Sequence, residues 1–269
     1  MTAAGKRPPH LVAVLVGDDP ASQVYVRNKV RSCEKVGFRS TLIRKGPDVS
    51  ESELLEIVRQ LNEDAEVDGF IVQLPLPDQI DDEKVTLAID PSKDVDGFHP
   101  TNFGRMAQSL PCYLPATPAG ILEMMRRYEI ETEGKEVVVL GRSNIVGTPM
   151  SILLSRKAYF GNATVTLCHS RTKDLGAHLR RADIVVAAIG IPEFVKADMV
   201  KEGVVVIDVG INRVDAPERE KGYRLCGDVD FEGLKGKASM MTPVPGGVGQ
   251  LTVVSLLMNT LKAAKGEVY

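Results

Sequence analysis

Short, β-branched apolar runs recur along the chain, each followed by a turn and a stretch of helical periodicity. They fall at residues 11–16, 41–43, 69–72, 137–140, 163–168, 182–188 and 204–208. Runs this short and uniformly apolar read as strands buried on both faces, as in parallel sheets. The helices between them carry their own start and stop signals. Asp19 reads as an N-cap with Pro20 as the first helical residue, and the helix runs to Val36 before Gly37. Ser50 and Glu53 form a capping box before the amphipathic stretch 54–61, and Asp81 caps a helix reaching Ile89. Residues 91–98 read as a loop dense in charge and turn residues. Thr117 and Pro118 read as the cap and first residue of a helix carrying Ile121, Leu122, Met125 and Tyr128. Residues 215–221 read as an exposed loop and 225–228 as a last short strand. A closing helix over 251–264 presents Val254, Leu257, Met258 and Leu261 on one face.

Strands alternating with helices predict an α/β protein with parallel sheets. The expectation is two domains, an N-terminal α/β substrate domain and a C-terminal Rossmann-type dinucleotide domain with a cleft between them. The boundaries fall at 1–118 and 119–249, with 250–269 as a helix packing back on the first domain. In such sheets ligands gather at the carboxyl ends of strands. Gln73, the Asp94–Asp96 loop, Gly141, Ser170, Gly190, Ile211 and the stiff, glycine-dense loop 243–247 are therefore expected to face one crevice.

Composition narrows the picture. The chain has 269 residues and a formal net charge of −3, with no basic stripe, so nucleic acid is not an expected partner. No apolar run approaches the roughly 20 residues that span a bilayer, and residues 1–10 lack the apolar region of a secretory signal. Cys33, Cys112, Cys168 and Cys226 are scattered without a CxxC pair, which reads as reduced thiols in a cytoplasmic protein. The histidines show no metal-ligand spacing, and no metal is expected.

The segment Val137-Val-Val-Leu-Gly-Arg-Ser-Asn-Ile-Val-Gly-Thr-Pro-Met150 carries the clearest chemistry. A buried strand turns on Gly141, and a helix opens near Val146 with Pro149 in its first turn. Such a turn aims free backbone N–H groups at an anion. It is half of a dinucleotide fingerprint, because Gly141 and Gly147 are separated by five residues instead of following G-x-G-x-x-G. The next strand ends in His169, Ser170, Arg171 and Thr172, with no carboxylate before Asp174. An NAD-specific site places Asp or Glu there for the ribose hydroxyls. A hydroxyl and a guanidinium suit a 2′-phosphate instead, and Arg142 offers a second cation. The expected cofactor is NADP.

In the first half, Tyr25 and Lys29 stand four apart on one helix face. Gln73 ends a strand and Asp96 lies in the 91–98 loop. Taken singly, each has an ordinary structural reading: packing tyrosine, solvated lysine, capping aspartate. Spacing alone does not select them.

Seven segments together resemble the bifunctional methylenetetrahydrofolate dehydrogenase/cyclohydrolase family. They are Tyr25-Val-Arg-Asn-Lys29, Gln73-Leu-Pro-Leu-Pro77, Lys93-Asp-Val-Asp-Gly97, Gly141-Arg-Ser-Asn-Ile-Val-Gly147, Val206-Ile-Asp-Val-Gly-Ile-Asn212, Gly227-Asp-Val229 and Thr242-Pro-Val-Pro-Gly-Gly-Val-Gly249. They occur in the family's order across nearly the whole chain. The resemblance implies oxidation of 5,10-methylenetetrahydrofolate to the methenyl form with a nicotinamide cofactor, then hydrolysis to 10-formyltetrahydrofolate. It implies Lys29 as the central catalytic lysine, Gln73 as its support, Tyr25 packing on the folate, and Asp96 binding the pterin edge. It also implies cofactor contacts at Gly141, Arg142, Ser143, Ser170 and Ile211, and a homodimer joined through the dinucleotide domain.

The chemistry suits those roles. A carboxylate accepts the adjacent N–H donors of a pterin, and an aromatic ring stacks on a flat heterocycle. Hydride transfer mainly needs positioning. A lysine shielded from water can help activate the attacking water or handle the proton of the departing nitrogen.

Two positions depart from the family pattern. Ala116 stands in Pro115-Ala-Thr-Pro118 where the family has Cys, a change of packing more than of chemistry. The family also carries a helix before its first strand, which here begins at Leu11. The alternatives are a monofunctional folate dehydrogenase, another NADP-dependent oxidoreductase, and a nucleotide-sensing module that kept only the dinucleotide half.

Overall fold

All seven side chains of strand β1 (His10–Val16) are buried, which is why its sequence shows no alternation. The structure, a computed structural model, describes residues 7–219 and 222–269. The chain divides into two compact units, one formed by Met1–Ala116 with Val253–Tyr269, the other by Thr117–Thr252.

In the first unit β1 is the middle strand of a parallel sheet, between β2 (Arg39–Lys45) and β3 (Gly69–Val72). Its side chains part by period two. Val12, Val14 and Val16 pack with Leu54, Val58, Phe70 and Val85, while Leu11, Ala13 and Leu15 pack with Val26, Cys33, Leu256 and Leu257. Ala116 sits in the second of these clusters.

Helix α1 (Pro20–Lys35) begins as its sequence predicts, with the Ser22 N–H donating to Asp19 Oδ1 at 2.7 Å. At α2 (Glu51–Glu63) only half of the capping box forms. The Glu53 N–H donates to Ser50 Oγ at 3.2 Å, but the Glu53 carboxylate turns to Lys45 Nζ at 2.7 Å. Helix α3 (Asp82–Ala88) is capped by Asp81. An unanticipated short helix, α4 (Pro100–Ala107), follows the 91–98 loop, and the Thr101 N–H donates to the His99 ring at its start.

The second unit opens with α5 (Ala116–Arg127), one residue earlier than the predicted cap. Thr117 therefore lies inside the helix, and its hydroxyl meets that of Thr252 at 3.0 Å. Then come β4 (Glu136–Leu140), α6 (Gly147–Ser155), β5 (Thr164–Cys168), α7 (Leu175–Arg181), β6 (Ile184–Ala187) and β7 (Val205–Asp208). The predicted strand at 225–228 is displaced. β8 (Asn212–Asp215) and β9 (Tyr223–Cys226) form an antiparallel hairpin, whose alternating charged positions masked it in the sequence. Helix α8 (Phe231–Leu234), the edge strand β10 (Met240–Met241) and α9 (Val248–Lys265) complete the chain, with α9 starting three residues before the predicted Leu251.

The main sheet of this unit is parallel, in the order β10–β7–β6–β4–β5. The chain moves outward from β4 to β5 and then returns to β6, so the topological switch point lies between β4 and β6. The first unit switches in the same way between β1 and β3. Each unit thus has one place, at the carboxyl ends of two neighbouring strands, where its architecture opens to a ligand.

Candidate active site

Gln73 leaves the carboxyl end of β3 at the switch point of the first unit, its N–H still donating to Val14 O at 2.9 Å. The loop that follows α3 returns alongside β3, where the Phe70 N–H donates to Lys93 O at 3.1 Å. Lys29 projects from α1 between them. Its ammonium donates to Gln73 Oε1 at 3.2 Å and lies 3.8 Å from Asp96 Oδ2. Lys29 is only 8% exposed, unusual burial for a residue that is ordinarily solvated. The Gln73 amide is held the right way round because its Nε2 donates to Leu74 O at 2.7 Å, leaving the oxygen for the lysine. Tyr25, one turn earlier on α1, is 37% exposed, and partial burial pushes its hydroxyl above the usual phenol range. Three of the four residues singled out in this unit therefore meet around one ammonium, and the fourth sits on the same helix face.

Asn102 and Asp94, the first without a signal in the sequence and the second expected only as part of the crevice loop, set the turn that presents Asp96. The Asp94 carboxylate accepts N–H groups from Gly97 (3.1 Å), Phe98 (3.2 Å) and His99 (2.8 Å), and the Asn102 amide (2.9 Å). Burial pushes the Asp94 carboxyl up to about 6 against those bonds. Asn102 also donates to Pro91 O and accepts from the Tyr113 N–H and the Tyr269 hydroxyl. The signal for this network was an aspartate inside a turn followed three residues later by glycine.

At the switch point of the second unit, Gly141 follows β4 with φ +112°, and its N–H donates to Cys168 O at 2.9 Å. A Cβ at Gly141 would run into the Ala188 carbonyl just beyond β6, so only glycine lets the two strand ends approach. Ser143 Oγ accepts the Val146 N–H at 3.1 Å, and Thr148 Oγ1 donates to Arg142 O at 3.1 Å, fixing the turn into α6. Beyond β5 the His169 N–H donates to Thr172 Oγ1, and the Arg171 N–H donates to the His169 ring. Arg142, Ser143, Ser170, Arg171 and Ile211 are all exposed. Neither Arg142 nor Arg171 forms an ion pair among the described residues. The donor set is a glycine turn at a helix start, two free guanidiniums and a serine, with no carboxylate at the end of β5. It fits a dinucleotide carrying a 2′-phosphate. Cys33, Cys168 and Cys226 are buried thiols outside any disulfide. Among the described residues no group of His, Cys, Asp or Glu is arranged to hold a metal ion, and no helix is long and apolar enough to cross a membrane.

A lysine-centred site on one α/β unit and a doubly wound dinucleotide unit in the same chain define a nicotinamide-dependent enzyme of two units. The chain belongs to the tetrahydrofolate dehydrogenase/cyclohydrolase family: residues 1–96 match its catalytic domain and residues 115–268 its NAD(P)-binding domain. It is 60% identical over 263 residues to the bifunctional protein FolD of Flavobacterium johnsoniae, covering 98% of this chain and 89% of that protein. The crystal structure of the bifunctional FolD methylenetetrahydrofolate dehydrogenase/cyclohydrolase from Campylobacter jejuni is similar, with TM-score 0.92 and 46% identity. That match covers 99% of this chain and 91% of the other. The Trypanosoma brucei enzyme, solved with NADP and an inhibitor, matches with TM-score 0.92 and 39% identity over 99% of this chain and 90% of its own.

Proposed function

We infer that this chain oxidises 5,10-methylenetetrahydrofolate to 5,10-methenyltetrahydrofolate with NADP and then hydrolyses that cation to 10-formyltetrahydrofolate. The observation that carries the reading is the buried Lys29 ammonium, held by Gln73 Oε1 at 3.2 Å with Asp96 Oδ2 at 3.8 Å. Asp96 accepts the N–H donors of the pterin edge, and Tyr25 stacks against the flat ring system. Together they fix the methylene carbon in place, the main demand of a hydride step. Bound NADP supplies the hydride acceptor. Gly141, Arg142, Ser143, Ser170, Arg171 and Ile211 are the residues that would hold it, with Arg142 and Arg171 on phosphate.

In the second step water adds to the methenyl carbon, the bond from that carbon to N5 breaks, and one proton is released overall. Lys29 can both orient that water and pass a proton to the departing nitrogen. Gln73 holds the ammonium where this transfer can occur. The same reading makes the chain a cytoplasmic homodimer joined through its Thr117–Thr252 unit, a state that sedimentation at micromolar concentration would detect.

The test is one assay with 5,10-methylenetetrahydrofolate and NADP, following reduced nicotinamide and methenyl absorbance together. Nicotinamide reduction with little methenyl build-up, after subtracting uncatalysed hydrolysis, is the expected result. Accumulating methenyl product would leave only a dehydrogenase. No reduction with NADP or NAD would defeat the reading.

A further inference from the structure

Two buried aspartates tie together the strand ends of the second unit, and the reading above uses neither. Asp228 is fully buried. Its Oδ2 accepts the N–H groups of Ile189 at 2.6 Å and Gly190 at 2.9 Å, and its Oδ1 accepts the Asn212 side-chain amide at 2.9 Å. A single carboxylate thus joins the turn after β6 to the turn after β7. Asp208, at the end of β7, fixes Asp228 in turn. Its oxygens accept the N–H groups of Gly210 (3.0 Å), Asp228 (2.9 Å) and Val229 (3.0 Å). Gly227 lacks a side chain for this reason, since a Cβ there would run into the Asp208 carboxylate.

What the Asp228 carboxylate orders is an exposed rim more than a core. Ile211 has 46% of its surface exposed, and a Cβ at Gly190 would meet nothing within 4 Å. Both turns lie at the carboxyl ends of central parallel strands, and the β6 turn borders Gly141 through Ala188. A turn left in solvent samples many conformations. Three donors converging on one buried carboxylate leave it a single low-energy arrangement.

We propose that Asp228 is a positioning residue for the nicotinamide dinucleotide, holding residues 189–190 and 211–212 in the arrangement the cofactor meets. The proposal rests on the dinucleotide reading of this unit, but not on the folate chemistry. In Asp228→Asn one oxygen is replaced by an NH2 group. Either the Ile189 and Gly190 N–H groups or the Asn212 amide then faces a donor. Asn212→Ala removes one of the three bonds and leaves the others.

The test uses the full-length protein, with NADP titrated calorimetrically, kcat and KM measured for NADP, and hydrolysis of methenyltetrahydrofolate measured without NADP. Asp228→Asn should raise both Kd and KM for NADP by about tenfold to a hundredfold, the range for buried donors left unpaired. Asn212→Ala should raise them by about fivefold. Hydrolysis without NADP should match the parent protein in Asn212→Ala, whose melting temperature should fall by no more than a few degrees. Unchanged NADP affinity in both variants would overturn the proposal, as would hydrolysis falling in step with NADP affinity. If Asp228→Asn does not fold, Asn212→Ala decides alone. If the parent protein reduces no nicotinamide, the folate reading fails, and the calorimetric Kd values still decide this one.

Discussion

Gln73→Ala isolates one bond of the proposed hydrolytic site. In the parent structure the Lys29 ammonium donates to Gln73 Oε1 at 3.2 Å, while Asp96 Oδ2 stands at 3.8 Å, beyond hydrogen-bonding distance. Removing the amide leaves a buried ammonium with no direct acceptor in that direction. A hydrogen bond to a charged group contributes about 1.5–3 kcal/mol, which corresponds to roughly tenfold to a hundredfold in rate if the bond matters in the transition state. A water entering the space left by the amide would bring the effect toward the lower end. Hydrolysis of methenyltetrahydrofolate, followed by loss of its absorbance under saturating substrate, should fall by that factor in kcat. NADP reduction should fall less, because that step demands position and no proton transfer. Gln73 is half-buried and its other side-chain bond is to the adjacent Leu74 O, so stability should drop by no more than about 3 kcal/mol, and by less where water replaces the amide. Hydrolysis at the parent rate would refute the claim that Gln73 holds the lysine for catalysis.

Other consequences are equally specific. Arg171→Ala should raise KM for NADP by about tenfold to a hundredfold and leave KM for NAD unchanged, if its guanidinium grips the 2′-phosphate; parallel changes for both cofactors would contradict that role. Gly141→Ala places a Cβ against the Ala188 carbonyl at a backbone angle that L-residues avoid, and should destabilise by at least about 2 kcal/mol in denaturant titration, with loss of NADP binding. His10 is held neutral, because its Nδ1 donates to Glu66 O and its Nε2 accepts from the Thr41 hydroxyl, and burial lowers its pKa below 6.5. The unfolded chain takes up this proton first as pH falls below 6.5, so the contribution of His10 to stability is complete above that pH and shrinks below it. The difference in urea midpoint between the parent and His10→Gln should narrow from pH 7 to pH 5, and a constant difference would refute the assignment.

Residues that obey a local rule were legible in the sequence. Asp19 and Pro20 started α1 as expected, and the apolar runs became β1, β3, β4 and β7. Their all-apolar character signalled parallel sheets correctly because both faces of each sheet are covered. The glycine turn at Gly141 was legible because its geometry is local. Spacing does not give the pairing of Lys29 with Gln73, which comes only from the family resemblance, nor its closeness to Asp96, since both depend on a topology that brings α1, the end of β3 and a distant loop together. Periodicity also missed α4, because one of its two buried residues is the polar Asn102, held by hydrogen bonds instead of apolar contacts. Asp208 and Asp228 escaped notice for the same physical reason. A buried carboxylate stabilised by backbone N–H groups looks, in sequence, like any turn aspartate. Two hints were present: Asp208 closes an apolar run, and Gly227 precedes Asp228. Of the hairpin, the sequence predicts only the second strand, and that two residues late; β8 goes unmarked because Arg213 and Asp215 break its apolar pattern.

The most direct test of the account is Lys29→Met, which keeps the length and apolar stem of the side chain and removes the ammonium. Hydrolysis of methenyltetrahydrofolate should be lost, while calorimetric binding of NADP, which depends on the other unit, should be unchanged. Hydrolysis retained at the parent rate would remove Lys29 from the mechanism and contradict the central claim.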